Sequence, residues 1–448
     1  MKRFFGMFAP QKDDNLQKKN SDTTSMKDEE MSPFVTCQRD HAWPSLYTEV
    51  DEMLESSVLV YALAELRSLA RQGKLTVQSE RALALPITHS EVLKVVQGNQ
   101  HELADSKFGK EFYIDLLQTI SDRNMMAGSP LEHSEGKVQN ATAATIVAFD
   151  DETEKEELVY MIEVDHVRER VTVCFRGSVT PLDWATNLEM YMKEIPNRMK
   201  ANASQVPTVR VHNGFHDYLF EPSNRGAKGP NGEDLSEYQE ILQEHVLPVI
   251  HKHHDYKVYV TGHSLGGALA TLFAFELTCE PEATVPKPVT LINFACPYVG
   301  DSSFRLAHQM LESQGRLRHL RVTNHKDLIT TFPKVAFRWN VFDRRAHVGS
   351  LFKHVGINLR IFEGSKTFKL CYPKVTDGFF SGAWDGATRG WSQAIFSNII
   401  WNPLNYWTLH TLREYNKRME VNNSGLHALF LNDVYAQPDI VGNLVPQK

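Results

Sequence analysis

Cysteine is scarce in this sequence: five residues in 448, an odd number, with no C-x-x-C pair. That excludes a disulfide framework and a thiolate zinc site. Cys174, Cys279, Cys296 and Cys371, each set among apolar neighbours, read instead as buried free thiols in a reducing compartment. A long basic run is also missing. With 48 Lys+Arg against 55 Asp+Glu the formal charge is −7, which excludes nucleic acid as the main partner. No apolar run is long enough to cross a bilayer, since the most hydrophobic stretch, after Ser264, holds Gly266 and Gly267 and reads as a helix buried on all sides. The opening Phe4-Phe5-Gly6-Met7-Phe8-Ala9 is short for the apolar part of a signal peptide. The expected location is therefore intracellular, cytoplasmic or peripheral to a membrane.

What is present is a chain able to build a core, with 42% hydrophobic and 23% charged residues, both near globular averages. Residues 11–33 are nearly free of large apolar side chains and cannot offset their ordering entropy, so residues 1–35 are expected to be a disordered tail. From 36 to 135 the text is helical. Leu54, Val58, Leu59, Tyr61, Ala62, Leu66 and Leu69 recur at three- and four-residue steps, and Phe112, Leu116 and Leu117 repeat the habit. This region is expected to pack on the domain that follows. After about Ala141 the period shortens, with strands expected at Thr145 to Phe149, Leu158 to Val164, Val171 to Phe175, Lys257 to Val260, Val289 to Phe294 and Leu317 to Val322. Helical stretches such as Tyr238 to Ile250 lie between the later strands, which predicts an α/β domain over 136–435 with a mostly parallel sheet flanked by helices. Residues 436–448 are expected to form a C-terminal tail.

The strongest local signal is Val258-Tyr259-Val260-Thr261-Gly262-His263-Ser264-Leu265-Gly266-Gly267, an apolar strand entering a helix through Gly-x-Ser-x-Gly. At about 7% each for Gly and Ser, such a match arises by chance about 0.15 times in a chain of this length. The strand before it and the helix after it are the context a nucleophile elbow requires. Gly262 and Gly266 are needed where a Cβ would collide with neighbouring backbone, and Ser264 then projects above the sheet. Its hydroxyl becomes a nucleophile when a base takes the proton, and N–H groups at the helix start can hold a developing oxyanion.

Around this motif the chain resembles the class 3, fungal-type lipase family of the α/β hydrolases. Val173-Cys174-Phe175-Arg176-Gly177-Ser178 with Asp183-Trp184, Val211-His212-Asn213-Gly214-Phe215, and Asn293-Phe294-Ala295-Cys296-Pro297-Tyr298-Val299-Gly300-Asp301 resemble family segments in the family's order. The ordered set spans roughly Thr142 to Met419, leaving the N-terminal helical part outside. The resemblance implies an α/β-hydrolase fold with an N-terminal helical extension, and an oxyanion hole made by the backbone N–H groups of Leu265 and Ser178. The Ser178 hydroxyl is a further candidate donor to the same oxygen.

The acid must follow Ser264 in chain order, and the candidates are Asp301, Asp327 and Asp343. Asp301 opens a helical stretch and reads as its N-cap. Asp327, in Asn324-His325-Lys326-Asp327-Leu328-Ile329, resembles the family's Asn-x-x-Asp-x-Val-Pro segment and is the preferred acid. Ile329-Thr330-Thr331-Phe332-Pro333 departs from that pattern just after it. His347, His354, His410 and His427 all follow Asp327. His354 resembles a family position that is usually structural, whereas His410, with Tyr415 five residues on, resembles the late base and is preferred.

Trp184, Leu188, Tyr191 and Met192 share a helical face, which by resemblance is a lid over the serine. Trp384, Trp391, Trp401 and Trp407 crowd the stretch 381–410, packing around His410 or meeting a lipid surface. The resulting expectation is a serine hydrolase of glycerolipid acyl esters, a lipase or a phospholipase A1-like enzyme. It needs no metal or organic cofactor, and contact with a membrane or lipid droplet is expected through lid and aromatics. The competing readings are a catalytically silent lipase-like scaffold and a soluble short-chain esterase.

Overall fold

A computed structural model describes residues 43–104, 117–119, 144–151, 158–178, 191–199, 206–223, 228–229, 232–333, 351–363, 367–372 and 408–437. The expected N-terminal tail, most of the lid segment and the tryptophan-rich stretch lie outside these residues, as do Asp343 and His347.

Seven helices matter here: α1 (Leu46–Arg71), α2 (His89–Gly98), α3 (Asn213–Phe220), α4 (Leu265–Cys279), α5 (Ser302–Ser313), α6 (Leu412–Val421) and α7 (Leu431–Tyr435). The ends of α1 are written in its sequence. Ser45 caps it by accepting the N–H of Thr48. At the other end Gly73 takes φ +67° while its N–H bonds Ala70 and that of Lys74 bonds Leu69, the paired bonds of a Schellman stop.

Eleven strands follow in chain order: β1 (Ile87–Thr88), β2 (Thr145–Asp150), β3 (Tyr160–Asp165), β4 (Arg170–Phe175), β5 (Met192–Pro196), β6 (Thr208–His212), β7 (Lys257–His263), β8 (Val289–Phe294), β9 (Leu317–Asn324), β10 (Ile357–Ile361) and β11 (Phe368–Cys371). Nine of them form one sheet in the order β1-β2-β3-β4-β7-β8-β9-β10-β11, and β5 pairs with β6 apart from it. Turns too short for a crossover join β2 to β3 and β3 to β4, so these strands run antiparallel. From β4 through β10 the pairs are parallel, as the alternation with helices predicts, and β11 returns antiparallel. The fold is thus the α/β-hydrolase type, a large sheet with a parallel centre flanked by helices.

Both faces of the central strands are buried. Val171, Val173, Phe175, Val258 and Val260 meet α4, every residue of which from Leu265 to Thr278 is buried. Cys174, Tyr259, Ile292, Phe294, Leu320 and Val322 turn the other way and join the cluster built on α1, α6 and α7. Cys174 and Cys296 are buried free thiols, whereas Cys279 and Cys371 are free and only partly buried. Among the described residues no helix is long and apolar enough to cross a membrane.

Candidate active site

Strand β7 is the fifth of the nine strands in the sheet, and the chain turns from it into α4 through Ser264, which takes φ 59° and ψ −124°. That is left-handed backbone for a residue with a side chain, tolerated only where the surroundings enforce it. The neighbouring glycines are steric necessities. A Cβ on Gly262 would lie 2.4 Å from the carbonyl oxygen of Gly266, and one on Gly266 would lie 2.2 Å from that of Phe175. The Ser264 N–H is tied to the Phe294 carbonyl on β8 at 2.9 Å, which fixes the turn to the sheet.

Three expected residues from distant parts of the chain meet at this turn. His410 Nε2 stands 2.9 Å from Ser264 Oγ, and its Nδ1 lies 3.0 and 3.1 Å from the two oxygens of Asp327. A carboxylate only accepts, so the Nδ1–H donates to Asp327 and the Nε2 lone pair faces the serine hydroxyl. All three side chains are buried. Asp327 follows the end of β9, and a single 3₁₀ turn, Ile329–Thr331, orients it: its Oδ1 accepts the Ile329 N–H at 3.0 Å. That turn is where the sequence departs from the expected Val-Pro. The Asp327 Oδ2 also accepts from Tyr415 Oη at 2.8 Å, while the same phenol oxygen accepts the Asn324 N–H. Tyr415 stood in the sequence only as a landmark, and its bond to the acid was not foreseen.

The other histidines and acids go elsewhere. His354 Nε2 donates to the Thr330 carbonyl at 2.8 Å and its ring stacks on Tyr298 at 3.7 Å. Burial, reinforced by Arg321, holds it neutral, well below the ordinary imidazole range. His427 Nδ1 bonds Ser45 Oγ at 2.9 Å, at the start of α1. Asp301 accepts the N–H groups of Ser303 and Phe304 and caps α5.

Ser178 follows the end of β4, and Gly177 brings it close: a Cβ there would come within 3.1 Å of the Ser264 Cβ. Ser178 is buried, and its hydroxyl has no hydrogen-bond partner among the described residues. An unpaired buried hydroxyl costs about 1–3 kcal/mol, a cost that a bound oxyanion would remove. Leu265 is the first residue of α4, so its N–H has no acceptor within the helix. The Ser264 hydroxyl, the His410 imidazole and candidate donors for a negative oxygen thus converge at the carboxyl end of the parallel strands, a geometry able to support acyl transfer.

Residues 172–337 match the family described as Lipase (class 3). Similar curated proteins include Phospholipase A1-IIgamma of Arabidopsis thaliana, 33% identical over 179 residues, or 38% of this chain and 40% of the relative. Phospholipase A1-II 4 of Oryza sativa subsp. japonica is 31% identical over 38% of this chain and 41% of its own length. The chloroplastic Galactolipase DONGLE of Arabidopsis thaliana is 30% identical over 43% and 41%. The chain spans about two fifths of the length of these relatives. Among solved structures, the native Rhizomucor miehei lipase propeptide complex aligns with 53% of this chain and 64% of its own at 24% identity and a TM-score of 0.37.

Proposed function

We propose that this chain is a serine hydrolase that cleaves acyl esters of glycerolipids. The observation that carries the reading is the hydroxyl of Ser264, raised on a strained turn 2.9 Å from the His410 Nε2 with Asp327 behind it. Ser264 Oγ attacks the ester carbonyl as its proton passes to His410 Nε2. The tetrahedral oxygen is held by the N–H groups of Leu265 and Ser178 and by the Ser178 hydroxyl. His410 returns the proton to the departing alcohol, leaving an acyl-enzyme, and a water activated by the same imidazole releases the acid. Asp327 fixes the tautomer and stabilises the imidazolium. Similarity to proteins named phospholipase A1 and galactolipase favours a polar glycerolipid over a simple short-chain ester.

The test is ester cleavage across glycerides, phospholipids and galactolipids, with Ser264→Ala as blank and His354→Ala beside His410→Ala. His410→Ala is expected to lower kcat by about 10⁴ or more, while His354→Ala chiefly lowers stability. Absence of Ser264 labelling by a fluorophosphonate would leave the family fold and overturn the enzymatic reading. Contact with a lipid surface belongs to this proposal too. A higher rate on emulsified than on monomeric substrate is its expected signature.

A further inference from the structure

A second chain of hydrogen bonds runs beside the reacting one, and its members come from four parts of the sequence. The Gly177 N–H donates to Tyr61 Oη at 3.0 Å, Tyr61 Oη lies 3.1 Å from His263 Nδ1, and His263 Nε2 lies 2.8 Å from the His410 carbonyl oxygen. The directions follow from elementary rules. A carbonyl only accepts, so the proton of His263 is on Nε2. A buried neutral imidazole then offers a lone pair at Nδ1, so Tyr61 donates to it and accepts from Gly177. Tyr61 and His263 are buried almost completely. Burial holds the phenol protonated and the imidazole neutral, in keeping with these roles.

We propose that Tyr61, on the N-terminal helix α1, is a positioning residue that holds the oxyanion loop and the proton-accepting histidine in register with Ser264. Gly177 and His263 are the residues just before Ser178 and Ser264, so one phenol ties together the backbone that aims both. Through His263 it also reaches the main chain of His410, whose ring packs 4.8 Å from that of His263. The approach is close enough to require glycine: a Cβ on Gly177 would lie 2.4 Å from Tyr61 Oη. Tyr61 lies outside residues 172–337, so α1 completes a site that the matched segment leaves unsupported. The inference rests on the hydrolase reading. Removing the phenol hydroxyl leaves two buried polar groups without this partner, and a displacement of about 1 Å at a reacting centre can cost about 10²-fold in rate.

The decisive experiment compares full-length wild type, Tyr61→Phe and Ser57→Ala. Ser57 lies one turn earlier on α1, where its hydroxyl lies 3.4 Å from Thr261 Oγ1 and bonds the Cys174 thiol, with no bond to Gly177, His263 or His410 among the described residues. Tyr61→Phe is expected to lower kcat about 10- to 100-fold with KM within about twofold, and to raise the Ki of a boronic acid, which forms a tetrahedral adduct on serine, by a similar factor. Ser57→Ala should lower the melting temperature without moving kcat. A Tyr61→Phe protein that loses melting temperature yet keeps wild-type kcat and Ki would overturn the inference and leave Tyr61 purely structural. Should Tyr61→Phe not fold, His263→Gln and His263→Leu decide the matter. Gln can still donate to the His410 carbonyl and accept from Tyr61, so it is expected to stay at least about tenfold faster than Leu. Equal rates in that pair would also overturn the inference. A wild type that labels with no fluorophosphonate and cleaves no ester fails the hydrolase reading itself, a result distinct from either.

Discussion

Both buried faces of the central sheet are largely apolar, but β4 and β7 carry a row of buried polar side chains only toward α1. Against α4 the strands present Val171, Val173, Phe175, Val258 and Val260, and the helix answers with apolar residues around its whole circumference. Against α1 the same strands present Arg170, Tyr259, Thr261 and His263, equally buried and each hydrogen-bonded to the helix. Glu49 takes both Arg318 and the Tyr259 hydroxyl, Glu52 takes Arg170, Ser56 reaches Glu163 and Tyr61 reaches His263. These helix positions, 49, 52, 56 and 61, advance by three to five residues and share one side of α1. An apolar face is non-directional and tolerates sliding, whereas directional polar pairs satisfy one register only. On this argument the row of pairs sets where α1 stops, and so delivers Tyr61 to Gly177. Buried ion pairs add little net stability over apolar packing, so register is the better explanation for retaining them.

The α4 face breaks most completely at its tightest point. Gly266→Ala places a methyl carbon 2.2 Å from the Phe175 carbonyl oxygen, where only backbone movement makes room. Loss of folded protein, or of all Ser264 labelling in any that folds, is the expected result, read by circular dichroism and a fluorophosphonate probe. On the α1 face the largest single effect falls at Glu49. Glu49→Ala leaves the Arg318 guanidinium fully buried without its carboxylate and should cost about 3–5 kcal/mol in denaturant unfolding. The comparison sharpens in the double variant Glu49→Leu with Arg318→Met. Stability should return to within about 1–2 kcal/mol of wild type, yet kcat should stay depressed if the pair sets register. Full recovery of kcat would refute that role.

How much of this was legible in the sequence follows from the same contrast. The elbow could be read because its requirement is local: Gly262 and Gly266 lie two residues either side of Ser264 and answer to one turn's sterics. The strand segments and the buried character of α4 were legible from period and composition. Chain order admits Asp301 and His354 as well, so Asp327 was separated from Asp301 by the N-cap reading and family resemblance, and His410 from His354 by resemblance alone; each competitor is hydrogen-bonded elsewhere in the fold. Nothing marked Tyr61. It stands among Val58, Leu59 and Ala62 on an apolar stripe, where tyrosine reads as core, and its partner His263 lies 202 residues away. Nothing marked Glu49 or Ser56 either, because polar residues on a helix signal burial only once the sheet's own polar side chains are known.

A charge-dependent clasp gives the next effect in size. His89, the first residue of α2, lies 2.7 Å from Glu163 on β3 and 3.1 Å from Glu55 on α1. Burial alone would lower its pKa, but the two carboxylates outweigh burial and hold it up at about 10. The folded state therefore binds this proton more tightly than the unfolded chain, whose histidine titrates near 6.5. The stabilisation is fully present below pH 6.5 and is lost as pH rises toward 10. Stability measured from pH 6 to 10 should decline by about 1.5–3 kcal/mol, the worth of hydrogen bonds to a charged group. His89→Gln should flatten that decline, and an unchanged slope would show that other groups set it.

The smallest effect is expected where α1 leaves the sheet. Arg71 pairs with Asp151 at 2.8 Å, but its side chain is 47% exposed and Arg67 holds the other oxygen of the same carboxylate at 3.2 Å. Arg71→Ala removes one partner from a buried acid that keeps another, and the lost attraction is screened by water. A change of about 0.5 kcal/mol or less is expected in denaturant unfolding, with kcat unmoved. The same geometry makes Arg67→Ala the harsher change, because Arg67 is the more buried of the two cations. If Arg71→Ala instead approached the cost of Glu49→Ala, the distinction between a register-setting row and a solvated helix end would fail at the point where burial says it should be plainest.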